Sequence, residues 1–284
     1  MKYPWKDYSG RTSPLKLMVF VALFGPALWV LASFPLGWLG ARPLNEAIHQ
    51  IGLWTIRLIF IALAVTPARG IVQWPRLILV RRMVGVAACA YALLHLTLYT
   101  ADQMFDLVKV ASEIVRRIYL TIGFTAVIGL AALAATSTDG MVRRLGQRWQ
   151  KLHRLVYVIA LLAVVHYWMQ SKLEIWEPTI MGGIYVWLMG YRLLARFLAV
   201  RGRLPPVWVG ALGIAAGIFT GVGEAAYFRL AYGVEPLRVI AANWSLDTGL
   251  RPAVIVLGLA LAVAAAGMLR GLVALPAKRR PQLA

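Results

Sequence analysis

The feature that most constrains this chain is a succession of long apolar runs with very few charged residues. A helix needs about 20 apolar residues to cross the hydrocarbon core of a bilayer, and only helices or closed barrels satisfy every backbone polar group in lipid. Because the runs are continuous rather than alternating in polarity, they predict helices. The eight predicted spans are residues 16–36, 51–67, 83–101, 118–136, 153–170, 179–198, 206–226 and 252–272.

The composition agrees with a membrane protein. Hydrophobic residues make up 61% of the 284 positions and charged residues only 14%, whereas an average soluble domain carries about 25% charged residues. The predicted fold class is therefore all-α, a multi-pass transmembrane helical bundle of about eight spans, and the lipid bilayer is its first predicted partner.

The basic residues are grouped in alternate loops rather than in one patch. The net charge of +19 would suggest nucleic-acid binding in a soluble protein. Membrane topology explains it here, because Lys and Arg concentrate in cytoplasmic loops, so we predict no nucleic-acid partner. The groups are Lys2, Lys6, Arg11 and Lys16; Arg69, Arg76, Arg81 and Arg82; Arg143, Arg144, Arg148, Lys151 and Arg154; Arg196, Arg201 and Arg203; and Lys278, Arg279 and Arg280.

The loops between these groups carry nearly balanced charges, which places the basic loops on the cytoplasmic side. With an even number of spans, both termini are then cytoplasmic. No loop has room for a Rossmann domain or a P-loop, and the single cysteine, Cys89, forms no CxxC motif. No internal repeat or low-complexity tract is evident.

The histidines are the side chains best suited to carry chemistry, since a metal-binding residue within a span is costly and by default a functional candidate. His95 lies in the third span and His166 in the fifth, and both spans run in the same direction. At 1.5 Å per residue, both lie about 18–20 Å above the cytoplasmic edge. Two histidines at matching depth suit the two axial positions of one haem iron; hydrogen-bonded core histidines are the alternative.

A second site is predicted nearer the cytoplasm. His153 precedes His166 by 13 residues and so lies about 20 Å lower, but on an ideal helix the two side chains point about 140° apart. Either the fifth helix is distorted or two cofactors are approached from different directions. His49 is expected at the surface; a third ligand site and a proton-handling residue beside a quinol are its alternatives.

The second haem has no obvious partner histidine. The residue 13 positions before His95 is Arg82, next to Arg81. A guanidinium stays protonated and is a poor metal ligand, so these arginines are candidates for pairing with haem propionates, with plain positive-inside anchoring as the alternative. The second site is then five-coordinate, uses an unusual ligand or is absent.

Several segments carry a family resemblance. They are GARPLNEAIHQIGLW leading into VTPAR, RRMVGVAACAYALLHLTLY, RIYLTIG, and TSTDGMVRRLGQRWQKLHRLVYVIALLAVVHY. They resemble the haem-binding membrane subunit of the bacterial periplasmic methionine-sulfoxide reductase system (the MsrQ or YedZ family), within the ferric-reductase-like transmembrane superfamily. The resemblance covers about residues 12–200.

The resemblance implies a non-catalytic electron-transfer subunit in the bacterial inner membrane, without catalytic residues of its own. Electrons would come from the quinone pool or a cytosolic flavin reductase and pass to a periplasmic molybdopterin enzyme that repairs oxidised methionines. The implied cofactors are one or two b-type haems and, in some descriptions, FMN. His95, His166 and His153 would hold the iron, and Arg81 and Arg82 complete the predicted cofactor-binding set.

The resemblance also predicts two domains and leaves other functions to weigh. Residues 1–204 would form the ferric-reductase-like haem-binding domain, and residues 205–284 a two-span extension of unknown role. One alternative is a ferric or other metal reductase component, although such proteins usually carry a nicotinamide- and flavin-binding domain. The other alternative is a haem-free transporter or scaffold whose histidines are structural.

Overall fold

The fold is a bundle of α-helices. A computed structural model describes residues 3–6, 10–171, 174–200, 203–245 and 249–273, and in this part of the chain it contains no strand beyond isolated bridges. The helices are α1 (Pro14–Ala22), α2 (Gly25–Ser33), α3 (Pro43–Ile71), a 3₁₀ turn (Pro75–Leu77), α4 (Ile78–Asp102), α5 (Leu107–Arg116), α6 (Ile118–Ala135), α7 (Asp139–Leu145), α8 (Gln147–His153), α9 (Leu155–Gln170), α10 (Trp176–Leu198), α11 (Pro206–Tyr232), α12 (Pro236–Trp244) and α13 (Pro252–Val273).

Seven segments of the described chain are long and apolar enough to cross a membrane, which confirms the multi-pass prediction. They are Pro14–Ser33, Pro43–Ile71, Pro75–Asp102, Ile118–Ala135, Gln147–Gln170, Pro206–Tyr232 and Pro252–Gly271. The predicted sixth span is present as the 23-residue helix α10. This helix is long enough to cross, but its glycines, aromatic residues and Arg192 make it less apolar than the other seven. The predicted basic residues Lys2, Arg201, Lys278, Arg279 and Arg280 lie outside the described residues.

Pro26 lies inside the first predicted span and predicts a kink there, and the structure shows a complete break. Helix α1 ends at Ala22 and α2 begins at Gly25, with Pro26 in its first turn. A proline ring clashes with the carbonyl four residues earlier and cannot donate a backbone hydrogen bond. The hydroxyl of Tyr91 bridges the break, donating to the Leu23 carbonyl at 2.7 Å and accepting from the Ala27 N–H at 3.0 Å.

The segment after α4 is a short helix rather than a plain loop. The Asp106 side chain caps α5 by accepting a 2.9 Å hydrogen bond from the Lys109 N–H. Such a cap satisfies one of the free N–H groups at a helix start. Residues 227–251, whose mixed polarity predicts a long loop with room for an interfacial helix, likewise contain a helix, α12.

The chain divides into two compact units. The first contains residues 1–66 and 76–185 and the second residues 67–75 and 186–284. In the first unit, α6 packs along α9, and α4 packs against both α6 and α1. Its core includes the fully buried Ile51, Ala88 and Ala160. The predicted domain boundary at residue 204 stays a prediction.

The second unit is held together by small residues. Helices α11 and α13 approach so closely that a Cβ at Gly213 would overlap Ala260, and one at Gly217 would lie 3.3 Å from the Ala253 carbonyl oxygen. Small residues four apart allow such contact between membrane helices. Buried Glu224 on α11 adds polar contacts to this unit. It accepts hydrogen bonds from Asn243 at 2.7 Å and from Arg251 at 2.9 Å.

Candidate functional site

The structure brings two of the predicted site residues together inside the first unit. The imidazole rings of His95 on α4 and His166 on α9 have centroids 6.5 Å apart and planes inclined at 83°. Both side chains are half-buried. We call these two residues the histidine pair. Their separation fits the predicted matching depth of the two helices.

Both imidazoles are held by backbone carbonyls in the same way. Nδ1 of His95 lies 2.8 Å from the Ile48 carbonyl oxygen, and Nδ1 of His166 lies 2.7 Å from that of Tyr119. A carbonyl can only accept, so Nδ1 is the protonated nitrogen of each neutral ring. Nε2 of each ring therefore keeps its lone pair and can ligate a metal.

Two glycines make room for the rings. A Cβ at Gly52 would lie 2.8 Å from Cε1 of His95, and a Cβ at Gly123 would lie 2.7 Å from Cε1 of His166. These distances are too short for real carbon contacts. Each glycine lies one helical turn after the carbonyl that fixes the same ring, so the helix supplies both a hydrogen bond and a space.

The two halves of this arrangement are related by a constant spacing of 71 residues. Ile48 and Tyr119, Gly52 and Gly123, and His95 and His166 are all separated by it. The two half-sites thus use the same carbonyl, glycine and histidine positions at one constant spacing. In the sequence the only signal of this correspondence is the Ile–Gly step, which occurs at residues 51–52 and 122–123.

The third predicted ligand, His153, has different surroundings from the pair. Its Nε2 lies 3.3 Å from the Ser137 hydroxyl, its Nδ1 lies 3.1 Å from the Trp149 carbonyl oxygen, and its ring stacks on that of Trp149 at 3.8 Å. His153 ends α8, and α9 starts at Leu155. The helix of the fifth span is thus interrupted at Arg154, directly after His153.

The two predicted arginines bind acidic and hydroxyl groups of the protein. Nη2 of Arg82 lies 2.5 Å from Oδ1 of Asp139, the first residue of α7. Nη1 of Arg81 donates to the Thr66 hydroxyl at 3.1 Å. Arg82 is thereby held at the start of α7, and Arg81 is held against α3.

A polar network that the sequence did not predict lies beside the histidine pair. Tyr167, next to His166, donates to Glu177 at 2.6 Å, and Glu177 pairs with Arg57 at 2.9 Å. Arg57 in turn lies over the ring of Trp54, 5.1 Å from its centroid. His49 is exposed, as expected, with its ring 6.2 Å from that of Tyr167.

Comparison with known proteins places the chain in a family. Residues 50–164, which include His95 and His153, match the family described as Ferric reductase like transmembrane component. A Xanthomonas campestris pv. campestris protein named Protein-methionine-sulfoxide reductase heme-binding subunit MsrQ is 43% identical over 191 residues, covering 66% of this chain and 88% of the relative. The chain belongs to the MsrQ family.

Other MsrQ relatives show the same extent of similarity. One from Rhodospirillum rubrum is 44% identical over 190 residues, covering 66% of this chain and 90% of its own length. One from Caulobacter vibrioides is 40% identical over 178 residues, covering 62% and 85%. About a third of this chain thus lies outside each match. No solved structure matches the chain.

Proposed function

We propose that this member of the MsrQ family is a membrane electron-transfer subunit that holds b-type haem between His95 and His166. The observation that carries the proposal is the histidine pair, with each Nδ1 bonded to a carbonyl and each Nε2 free to act as a ligand. When bound, haem supplies one-electron chemistry that amino-acid side chains lack. The protein binds and orients the group through its imidazoles.

The residues present fit such a group. Since a metal–imidazole bond is about 2 Å long, two imidazoles on opposite sides of one metal have ring centroids about 6 Å apart, close to the observed 6.5 Å. Gly52 and Gly123 give each ring a space that any side chain would fill. The relatives are named heme-binding subunits, which supports the same donor set here.

Family membership and charge also support a direction of electron flow. The relatives are subunits of a methionine-sulfoxide reductase, so the proposed acceptor is a periplasmic molybdopterin subunit that reduces oxidised methionines in proteins. The alternate basic loops support a position in the inner membrane with both termini cytoplasmic. The histidine pair then lies nearer the periplasmic face, where the acceptor would bind.

A cleft at the broken first span supports the quinone pool as donor over a cytosolic flavin reductase. It has a volume of about 650 Å³ and is lined mainly by apolar residues of α1 to α4. Gln50, Trp54 and Arg57 add hydrogen-bonding groups along one stripe of α3. A quinol needs this combination of an apolar groove and a few polar groups. No described cluster specifies FMN, which stays a prediction from the family resemblance.

The test is spectroscopic. We expect the purified full-length protein to show a Soret band and reduced b-type absorbance peaks, and His95→Ala or His166→Ala to lose the haem of the pair while still inserting in the membrane. His49→Ala, an exposed histidine close to the pair, is the matched control and should keep full haem content. Unchanged haem content in both pair variants would contradict the ligand assignment, and no Soret band in the wild type would contradict the function.

A further inference from the structure

Helix α3 carries a polar stripe along the cleft at the broken first span. The stripe consists of Gln50, Trp54 and Arg57, which follow one another at helical spacing and all line the cleft. Among the described residues that line this cleft, Arg57 is the one that carries a charge. A charged side chain within a span is costly and is by default a functional candidate.

The guanidinium of Arg57 is held from outside the cleft. Its Nη2 lies 2.9 Å from Oε1 of Glu177, in the first turn of α10, and the other carboxylate oxygen accepts from Tyr167 of α9. Its Cζ lies 5.1 Å from the centre of the Trp54 ring. Because a guanidinium has five N–H donors and the ion pair engages Nη2, donors on its other nitrogens are left for a ligand in the cleft.

Gln50 supplies the opposite kind of group. Its Nε2 donates to Oε1 of Glu46, one helical turn earlier, at 2.7 Å. An ionised carboxylate can only accept, so this contact fixes which end of the amide carries the hydrogens. Oε1 of Gln50 therefore stays an acceptor. The polar stripe thus has an acceptor at one end and a cationic donor at the other.

These two ends suit one protonation state of a quinol. Gln50 and Arg57 are two helical turns apart, about 10.5 Å along the axis, comparable with a six-membered ring and two hydrogen bonds of about 2.8 Å. A neutral quinol has a hydroxyl at both ends, and a quinone has a carbonyl at both ends. The monoanion has one hydroxyl, which can donate to Gln50, and one anionic oxygen, which can accept a charge-assisted bond from Arg57.

We propose that the polar stripe binds the quinol as its monoanion, with Gln50 accepting from the remaining hydroxyl and Arg57 donating to the deprotonated oxygen. The proposal rests on the proposed function, in which a quinol is the electron donor and haem the acceptor. The O–H bond facing Arg57 breaks, its electron pair stays on the oxygen, and the proton passes to solvent at the mouth of the cleft. The anion gives up one electron more readily than the neutral quinol, so a site complementary to it speeds the transfer.

The test is the reduction of the oxidised, haem-loaded, full-length protein by excess short-chain quinol, followed by the b-type absorbance in a stopped-flow mixer. Arg57→Gln combined with Glu177→Gln removes the cation without leaving a lone carboxylate. At neutral pH we expect reduction to be about tenfold slower or more, because an opposite charge at hydrogen-bonding distance is lost. The rate should recover as the pH rises, because the quinol then ionises without help. A loss of structure would not be corrected in this way.

Gln50→Leu tests the other end of the polar stripe. Loss of one hydrogen bond to a neutral hydroxyl should raise the half-saturating quinol concentration about threefold to tenfold, with the pH profile of the wild type. The matched control is Gln103→Leu. Gln103 donates to Asp102 at 2.9 Å at the end of α4, away from the residues that line the cleft. This variant should keep the wild-type concentration and rate.

The control for the paired variant is Arg251→Gln combined with Glu224→Gln. These residues form an ion pair of the same length, 2.9 Å, in the second unit. Their replacement removes a cation and a carboxylate far along the chain from the polar stripe, so the quinol rate and its pH profile should equal those of the wild type.

The outcomes separate this proposal from the proposed function. A variant without Arg57 and Glu177 that is reduced at the wild-type rate would overturn the proposal, as would one that stays slow at alkaline pH. Haem that dithionite reduces and quinol does not would also overturn it, while leaving the function of the histidine pair intact. A protein without haem would defeat both.

Discussion

Each imidazole of the histidine pair is positioned by backbone rather than by side chains. The carbonyls of Ile48 and Tyr119 fix the tautomer and the ring direction, and Gly52 and Gly123 let the helix approach the ring. A hydrogen bond to Nδ1 orients a ligating histidine and raises the basicity of its other nitrogen. The backbone contact ties ring position to helix position, so the ligand geometry depends on how α3 and α6 pack.

At the residue scale, we predict that Gly52→Ala and Gly123→Ala weaken haem binding. The new methyl group would lie 2.8 Å or 2.7 Å from Cε1 of the facing histidine and would displace the ring. Overpacking of this kind costs about 1–3 kcal/mol, which corresponds to about a 5- to 150-fold loss of haem affinity. The measurement is haem retained per protein during titration with apomyoglobin as a competing acceptor.

The control for this prediction is Gly258→Ala in α13. A Cβ there has no described atom within 4 Å, and the change brings the same gain in helix propensity, about 1 kcal/mol. Its haem affinity should equal that of the wild type. Equal affinity in all three variants would mean that the ring contacts do not hold the ligands in place.

At the scale of elements, the break between α1 and α2 is the feature that gives the cleft its shape. Non-helical backbone at membrane depth is tolerated where it is buried in protein or lines a cavity. Tyr91 satisfies two of the exposed backbone groups, at Leu23 and Ala27. Leu23, Gly25 and Pro26 then line the cleft. A continuous helix would not form this irregular wall of the cleft.

We predict that filling the cleft blocks quinol without affecting haem. Ile61→Trp adds a large ring to the cleft wall, so reduction by a short-chain quinol should slow at least tenfold, while dithionite still reduces the protein completely. The rates are followed by absorbance in a stopped-flow mixer. Ile128→Trp, at an exposed position on α6, is the control and should leave the quinol rate unchanged. Equal rates in both variants would exclude this cleft as the donor site.

At the scale of the whole molecule, the acceptor distinguishes two functions within one superfamily. The match to the ferric-reductase-like family alone would allow a metal reductase, whereas the MsrQ relatives are named as subunits of a protein-methionine-sulfoxide reductase. The MsrQ matches cover 88–90% of the relatives, so the methionine-sulfoxide acceptor is the stronger candidate.

We predict that the reduced protein is reoxidised rapidly and saturably by the periplasmic molybdopterin subunit from the same bacterium, in the presence of a methionine-sulfoxide substrate. The measurement is the decay of the reduced b-type absorbance peaks. The molybdopterin-free form of the subunit should give only the slow background rate. Faster reoxidation by ferric citrate than by the molybdopterin subunit would instead favour the metal-reductase function.

The sequence by itself determined the membrane class, seven of the spans in outline and the residues of the histidine pair. Hydropathy, loop charge and helix rise depend on local composition and spacing, which a single chain displays directly. It did not reveal the α1–α2 break in full, the Arg57–Glu177 pair, or the residues that hold the imidazoles, since a carbonyl or a glycine has no side-chain signature.

Only the tertiary structure showed that the surroundings of His95 correspond to those of His166. The spacing of 71 residues becomes visible when His95 and His166 are found with equivalent carbonyl and glycine partners. A carbonyl contact and a glycine space depend on backbone position, so this correspondence shows in the packing and hardly in the sequence.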